Sequence, residues 1–244
     1  MGMFGWLSGD KEKKQERMLD RLKKRLMNKH QQTAERKRAI LTLEEMGSED
    51  AFYILLGRFT YHTEGTIIDE DEKTMVFDVL RRAGDKAIPS LELFVREEIA
   101  IYWPLRALSE LAGEDYAVDV ILASLDSIED RWEISMERMT QLASCLRDYN
   151  NPKVLDRLVQ LSTDEFEEIR FLAVDGLSTF DNDAKAIDAI IRRLIDEDET
   201  VRVKTFVTDL LLERRWNVKK YKKQLLEKIP DHYFIDGTGV IQRR

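Results

Sequence analysis

The sequence predicts an all-α solenoid of about six helical hairpins, and three observations lead to this fold. Apolar residues recur at helical spacing along most of the 244 residues. Short motifs repeat at a regular distance, as in Ile169-Arg170 and Val201-Arg202, which lie 32 residues apart. Glycine, proline and asparagine stand between the helical segments. Because a single hairpin leaves one apolar face exposed, such hairpins become stable when neighbours stack and bury a continuous core.

The predicted helices come in pairs along the chain. The pairs are 33–46 with 49–59, 71–83 with 86–96, 98–112 with 115–126, 130–148 with 152–162, 165–179 with 183–195, and 199–214 with 217–228. Pro104 lies inside one of these segments, so it is expected either to kink that helix or to mark its true start. Residues 60–72 form the longest predicted interruption, and insertions of this kind in solenoids often lie on a binding face.

Residues that favour helix ends mark several of these boundaries. Gly47, Gly84 and Gly113 follow predicted helices, at the place where a left-handed residue commonly ends a helix. Asn151 followed by Pro152 is typical of an N-cap and a first helical position. These residues support the pairing of helices given above.

The two ends of the chain differ from the repeats. Residues 1–32 combine an apolar start with a basic amphipathic helix, 11–30, which is predicted to cap the first hairpin. The apolar stripe of that helix consists of Met18, Leu19, Leu22 and Leu26. Residues 229–244 break the helical pattern, and Asp236-Gly237 with Gly239 predicts a short hairpin or an extended arm.

Four motifs in the helical segments are typical of a known repeat family. They are Ile169-Arg170, Val201-Arg202, residues 84–91 (GDKAIPSL) and residues 103–108 (WPLRAL). On these motifs the chain resembles the HEAT-repeat family in its short bacterial form, over residues 33–228. The resemblance is weaker in the first and fourth repeats, because no aliphatic residue precedes Arg38 or Arg138. The family implies a right-handed superhelix with the first helix of each pair on the convex face, and it implies no single chemistry.

Charge is distributed unevenly along the chain, whose formal net charge is −8. Residues 11–38 carry a net +8, residues 39–212 a net −20 and residues 213–244 a net +5. An acidic middle between basic ends attracts basic partners and repels nucleic acid, so nucleic-acid binding is not favoured. The basic ends are suited to anionic lipid, to phosphate or to the acidic surface of another copy.

The chain lacks the sequence patterns of several functional classes. Its single cysteine, Cys145, excludes an internal disulfide framework and a cysteine-based zinc site. The three histidines, His30, His62 and His232, form no ligand pair, and no phosphate-binding glycine motif occurs. No apolar run approaches the length that crosses a bilayer. The sequence therefore predicts no catalytic residue, no metal and no cofactor, and it favours a cytoplasmic location.

Several side chains are candidates for contact with a protein partner. Tyr61 and His62 lie in the predicted loop 60–72. Aromatic residues Trp103, Trp132 and Trp216 are candidates for the lining of a groove, although packing between repeats is the ordinary role of such rings. A local basic strip on the later helices is formed by Arg192, Arg193, Lys219 and Lys220.

The N-terminal segment is a candidate for membrane contact. Phe4, Trp6 and Leu7 precede the basic helix, and apolar residues followed by Lys and Arg can hold a protein at an anionic membrane surface. Myristoylation is not predicted, because position 6 holds Trp6 where that pattern needs Ser or Thr. An end cap or a docking peptide is the alternative for this segment.

The sequence thus predicts a non-enzymatic protein-protein interaction or scaffold module with a largely acidic helical-repeat surface. The expected partner is a protein with a basic or mixed-charge surface. Two alternatives stay open. One is a HEAT-like enzyme or enzyme subunit of the chromophore-lyase or DNA-glycosylase type, which a buried carboxylate beside Trp103 or Trp132 in an open pocket would favour. The other is a peripheral membrane adaptor that acts through residues 1–30 at the inner face of the membrane.

Overall fold

Within the described residues the secondary structure is helical apart from one short hairpin, which confirms the all-α fold class. The computed structural model describes residues 4–128, 133–229 and 232–244, and side chains from residue 13 onward within them, except those of residues 133 and 134. The chain forms two compact units, of which the first ends at Ser124 and the second begins at Leu125. Trp132 lies outside the described residues.

The first unit contains six complete helices in its described part. They are α1 (Phe4–Met27), α2 (Thr33–Met46), α3 (Glu49–Leu56), α4 (Thr66–Ala83), α5 (Ile88–Glu97) and α6 (Tyr102–Ala112). A 3-10 helix, Gly57–Thr60, continues α3, and another, Gly84–Ala87, leads into α5. Helix α7 (Glu114–Asp126) begins in this unit. Helix α2 packs on α4 and α4 on α6, while α3 packs on α5.

The second unit continues the helical pairs and ends in a hairpin of strands. Its helices are α8 (Glu133–Cys145), α9 (Pro152–Leu161), α10 (Glu167–Leu177), α11 (Ala184–Ile195), α12 (Val201–Arg214) and α13 (Lys222–Leu225), with 3-10 helices at Leu146–Asp148 and Lys219–Tyr221. Strand β1 (Tyr233–Ile235) pairs antiparallel with β2 (Ile241–Arg243). Helix α10 packs on α8 and α12, and α9 packs on α11.

Several predicted boundaries are wrong. Helix α1 spans Phe4–Met27 and not 11–30. Helix α4 begins at Thr66, so the loop predicted at 60–72 shortens to a few residues that turn at Gly65 with φ 90°. Helix α6 begins at Tyr102 and not at residue 98, which places Pro104 in its first turn, where the missing N–H costs little, and confirms the alternative that this proline marks the true start. The helix predicted at 217–228 is reduced to two short pieces, Lys219–Tyr221 and Lys222–Leu225.

The predicted helix ends agree well with the structure. Gly47, Gly84 and Gly113 have φ of 56°, 60° and 92°, a region that favours glycine because it has no Cβ. The Asn151 side chain accepts a hydrogen bond from the N–H of Lys153 and so caps α9. The N–H groups of the three glycines donate to carbonyls of the helices they end, and the Asn151 side chain accepts from an N–H of the helix it begins. These bonds satisfy backbone groups that a helix end otherwise leaves without a partner.

Helix α1 is attached to the first unit by its C-terminal half. It packs on α2 and α3, and Leu19, Leu22 and Leu26 are buried there. Met18, the fourth residue of the predicted stripe, is 44% exposed. Phe4, Trp6 and Leu7 lie in the first two turns of α1, and their side chains are outside the described set.

Candidate functional site

Five charged side chains are buried together in the first unit. This ionic cluster consists of Arg36 on α2, Arg58 on the 3-10 helix after α3, and Asp69, Glu72 and Lys73 on α4. Each is at most 4% exposed, and charged residues are almost never buried this completely unless they are paired. Three cations share two carboxylates, so the hydrogen-bond geometry determines whether each buried charge has a partner.

Glu72 lies at the centre of the ionic cluster. Arg36 donates from Nε to both oxygens of its carboxylate at 3.0 Å, with Nη2 at an ion-pair distance of 2.8 Å, and Arg58 donates from Nε at 2.8 Å. Two guanidinium groups therefore share one fully buried carboxylate, in the planar geometry that suits arginine better than lysine. These bonds hold α2, α4 and the 3-10 helix against one another.

Asp69 joins the rest of the ionic cluster. Its carboxylate accepts hydrogen bonds from Arg58 Nη2 at 2.7 Å and from the Thr63 N–H at 2.9 Å, and it pairs with Lys73 Nζ at 2.6 Å. Burial raises the pKa of Asp69, but the hydrogen bonds from Lys73, Arg58, Thr63 and His62 outweigh burial and hold this pKa well below its usual range. Asp69 is therefore an anion throughout the neutral pH range.

The loop that holds Tyr61 and His62 is fastened by the ionic cluster. The Tyr61 hydroxyl donates to the Leu26 carbonyl at the end of α1, and its ring lies 4.5 Å from the Arg58 guanidinium carbon. Burial raises the pKa of Tyr61. His62 stays 85% exposed, with Nδ1 at 3.1 Å from Asp69 Oδ2 and 3.2 Å from Lys73 Nζ. Of the two predicted contact residues, His62 is largely exposed and Tyr61 is partly buried.

A smaller version of the same arrangement occurs in the second unit. Arg170 on α10 donates from Nε and Nη2 to Glu199 at 2.9 and 2.7 Å, and Glu199 has a fully buried side chain. Burial raises the pKa of Glu199, but the hydrogen bonds from Arg170 and the Thr200 N–H, together with the charges of Arg170 and Arg193, outweigh burial and lower this pKa overall. In both units the arginine also donates Nη1 to carbonyls of the preceding loop, so each arginine ties its own loop to the next hairpin.

An open groove lies on the first unit between α1, α3 and α5. Its volume is 570 Å3, and we call it the acidic groove. It is lined by Glu16, Leu19, Asp20, Lys23, Glu49, Asp50, Tyr53, Ile54, Pro89, Ser90, Leu93 and Glu97. Five carboxylates and one ammonium group therefore surround a floor of apolar side chains, of which Leu93 is 46% exposed.

Most carboxylates of the acidic groove face solvent. Glu16, Glu49 and Asp50 are exposed and form no ion pair within the described part of the chain, while Asp20 pairs with Lys24 at 2.7 Å. Glu49 and Asp50 also occupy the first turn of α3, where negative charge suits the helix dipole. Glu97 accepts a hydrogen bond from the Tyr53 hydroxyl at 2.9 Å, and burial together with this bond raises the pKa of Tyr53 to about 12. The local potential of the groove is negative.

The basic strip predicted in the second unit is only partly neutralised by its own neighbours. Arg192 and Lys220 share one carboxylate, that of Asp188, at 2.7 and 3.1 Å. Arg193 is half-buried and pairs with Asp196 at 3.2 Å, while Lys219 is exposed. A groove of 310 Å3 runs past Arg192 and Arg193, and its lining holds the cations Lys185, Arg192 and Arg193 with the carboxylate of Asp188, so positive charge is in excess there.

The described tryptophans of the predicted contact set pack inside their units. Trp103 stacks on Phe59 with ring centroids 5.8 Å apart and meets Phe77 edge-on at 5.6 Å. Trp216 is only 6% exposed, so it lies in the core and does not line a groove, which corrects its assignment as a contact residue. Packing between repeats is the ordinary role that the sequence indicates for these rings, but the sequence does not separate a groove from a core.

Neither a metal-binding group nor a reactive thiol is found among the described residues. Within these ranges, no three His, Cys, Asp or Glu side chains are grouped so as to hold a metal ion. Cys145 is buried, and desolvation followed by the charge of Asp148 raises the pKa of its thiol to about 12. Among the helices that the structure describes, none combines the length and the apolar composition that crossing a bilayer requires.

The ionic cluster had no signal in the sequence. Arg36 precedes the Arg38 that the motif comparison selected, and Arg38 is an exposed residue that pairs with Glu35 at 2.6 Å. Glu72 and Lys73 fall at the start of the predicted helix 71–83, whereas the helix begins at Thr66, more than a turn earlier, and buries them. Comparison of the chain with protein-family models and with curated proteins finds no match.

Proposed function

We propose that this protein is a non-enzymatic protein-binding module whose acidic groove receives a basic segment of a protein partner. The observation that carries the proposal is the composition of the groove, in which five carboxylates and one lysine rim an apolar floor. Exposed apolar surface with a charged rim is typical of protein interaction sites. The charge on the rim selects a partner of opposite sign and speeds its approach.

The groove suits a partner that inserts the side chains of an amphipathic helix better than a partner with a flat surface. Tyr53, Ile54 and Leu93 offer apolar contacts from two neighbouring helices, α3 and α5. A partner helix binds in such a groove through apolar anchors on one face, spaced by three or four residues. Lysines or arginines that flank those anchors would then face Glu49, Asp50 and the other carboxylates of the rim.

We also propose that the hairpins are HEAT-like repeats stacked as a solenoid. Support comes from the like-on-like packing inside each unit, where α2 lies on α4 and α3 on α5, and where α9 lies on α11 and α10 on α12. Further support comes from Arg36 and Arg170, which make the same kind of bond to the following hairpin. Such stacking places short second helices side by side, and this arrangement creates grooves like the acidic one.

The test measures binding of a labelled model peptide by fluorescence anisotropy. The peptide is helix-forming, with leucines on one face and lysines on the others, and a matched peptide has glutamates in place of the lysines. We expect the full-length protein to bind the basic peptide, with affinity that falls as salt rises, and to ignore the acidic one.

A pair of matched triple variants separates the acidic groove from net charge. Glu49→Gln, Asp50→Asn and Glu97→Gln together should weaken binding about tenfold, which corresponds to about 1.4 kcal/mol. The control changes three exposed acids of the second unit to amides, Asp198→Asn, Asp209→Asn and Glu213→Gln, and should stay within about twofold. Equal weakening in both variants, or no binding of the basic peptide at low salt, would show that the groove is not the binding site.

A further inference from the structure

Helix α1 carries a second charged surface that the acidic groove does not use. Lys13, Arg17, Arg21 and Lys24 follow one another at intervals of four, four and three residues. At about 100° per residue these positions fall within roughly 80° of the helix circumference. We call them the basic stripe of α1. All four are exposed, and Lys14, beside them, is exposed as well.

The basic stripe points away from the body of the first unit. The same angular spacing of about 100° per residue places it opposite the buried leucines of α1, Leu19, Leu22 and Leu26. Among the described side chains, Lys13, Arg17 and Arg21 have no acidic partner, and Lys24 alone is paired, with Asp20. Three unpaired cations on the outward face are therefore free to bind an external anion.

The N-terminal part of α1 forms an extension ahead of Leu19. Residues 13–18 are all exposed, and Leu19 is the first buried residue among the described side chains of α1. The helix begins at Phe4, so about 15 residues, or roughly 22 Å of helix, precede Leu19. The first turns of this extension hold Phe4, Trp6 and Leu7 in a stretch without charge.

We propose that α1 attaches the protein to the surface of an anionic membrane. Each Lys or Arg close to such a surface contributes about 1 kcal/mol, and the apolar residues at the start of the helix add contacts with lipid. Apolar residues next to a basic stripe favour lipid over nucleic acid, since a phosphate backbone offers no apolar interior for Phe4 and Leu7. The stripe and the acidic groove use different residues on adjacent faces of α1: Glu16 and Asp20 line the groove, and Asp20 also pairs with Lys24 of the stripe.

The experiment measures sedimentation of the full-length protein with vesicles. One set contains phosphatidylcholine with about a third phosphatidylserine, and the other contains phosphatidylcholine alone. We expect binding to the anionic vesicles at low salt, little binding to the neutral ones, and a loss of binding as salt rises.

Three variants connect this binding to α1. Lys13→Gln, Arg17→Gln and Arg21→Gln together should weaken vesicle binding at least about tenfold. The control, Lys86→Gln with Lys219→Gln and Lys223→Gln, removes the same charge from exposed positions outside α1 and should leave binding within about twofold. Phe4→Ala with Trp6→Ala and Leu7→Ala should remove the binding that persists at higher salt. Circular dichroism of each variant verifies that the helices are intact.

Three results would overturn the proposal. The first is no sedimentation with anionic vesicles at low salt. The second is an equal loss in the basic-stripe variant and its control, which would assign the binding to net charge. The third is tight binding of a labelled single-stranded RNA that the basic-stripe variant abolishes while vesicle binding is unchanged, which would assign the stripe to nucleic acid.

Discussion

Replacing Glu72 by glutamine tests whether the ionic cluster stabilises the first unit. The substitution keeps the size of the side chain but removes a fully buried negative charge. The cluster of three cations and two carboxylates then holds three cations and one carboxylate. The glutamine amide also turns an N–H2 group toward donors of Arg36 or Arg58, so at least one buried donor loses its acceptor.

The expected loss follows from the burial and from the bonds at this site. Glu72 accepts from two guanidinium groups at 2.8 to 3.0 Å, and neither Arg36 nor Arg58 can turn to water without opening the contact between α2 and α4. Removing one partner of a buried ion pair costs about 3–5 kcal/mol, because the remaining charge stays desolvated. We therefore expect Glu72→Gln to lower the free energy of unfolding of the first unit by about 3–5 kcal/mol.

Hydrogen exchange measured by mass spectrometry assigns this loss to part of the chain. The amides of α2 and α4 should exchange faster in the variant, while those of α10 and α12 stay unchanged. Glu199→Gln, which removes the matching carboxylate of the second unit, should give the converse pattern. Glu44→Gln is the surface control, since Glu44 pairs with an Arg82 whose side chain is 57% exposed, and it should cost about 0–1 kcal/mol.

One result would refute this reasoning. If Glu72→Gln and Glu44→Gln destabilise the protein equally, and by less than about 1 kcal/mol, the burial of Glu72 carries no energetic weight. Faster exchange spread evenly over both units would contradict it as well, because the ionic cluster contacts helices of the first unit alone.

Three further substitutions or reagents test other parts of the structure. The pKa of Asp69 in the folded protein lies below its unfolded value of about 4. Ionised Asp69 therefore stabilises the fold above about pH 4, and this contribution is lost as the pH falls through the folded pKa. Asp69→Asn should accordingly make the free energy of unfolding less dependent on pH in the acid range. Cys145, with a pKa raised to about 12, should not react with a thiol reagent at about pH 8 until urea unfolds the chain, and rapid reaction of the native protein would contradict its burial. Gly176→Ala should cost about 1–3 kcal/mol in urea unfolding, because the new Cβ would lie 2.9 Å from the methyl groups of Leu158, whereas Gly237→Ala meets nothing within 4 Å and should change little.

Helix positions were predicted from the sequence because their signals are local. The predicted helix 33–46 has the bounds of α2, and Gly47 ends it in the left-handed conformation that its position indicated. The same holds for Asn151, whose side chain caps α9. In both places the determining interactions lie within four residues of each other, so a short stretch of sequence contains all the information required.

The ionic cluster depends on residues that are distant in sequence. Arg36 and Glu72 lie 36 residues apart, and a sequence gives no sign that these two, among 39 basic and 47 acidic residues, are buried together. The helix predicted at 217–228 failed for a related reason. Its local pattern is helical, but the segment forms two short pieces beside the C-terminal hairpin, where the Val218 N–H donates to the Gly239 carbonyl, a contact between distant residues that the local pattern does not contain.

Helix α1 brings the two proposed surfaces together on one element. Its leucines fix its orientation on α2 and α3, and the Tyr61 hydroxyl holds the carbonyl of Leu26 at its end. That fixed orientation turns Glu16 and Asp20 into the rim of the acidic groove and turns the basic stripe outward. The stripe and the rim lie on adjacent faces of one helix and meet at the Lys24–Asp20 pair, but they consist of different residues, so a basic partner and an anionic membrane need not compete for the same side chains. The ionic cluster, which holds the loop beside Leu26, thereby contributes to the placement of both surfaces without touching either ligand.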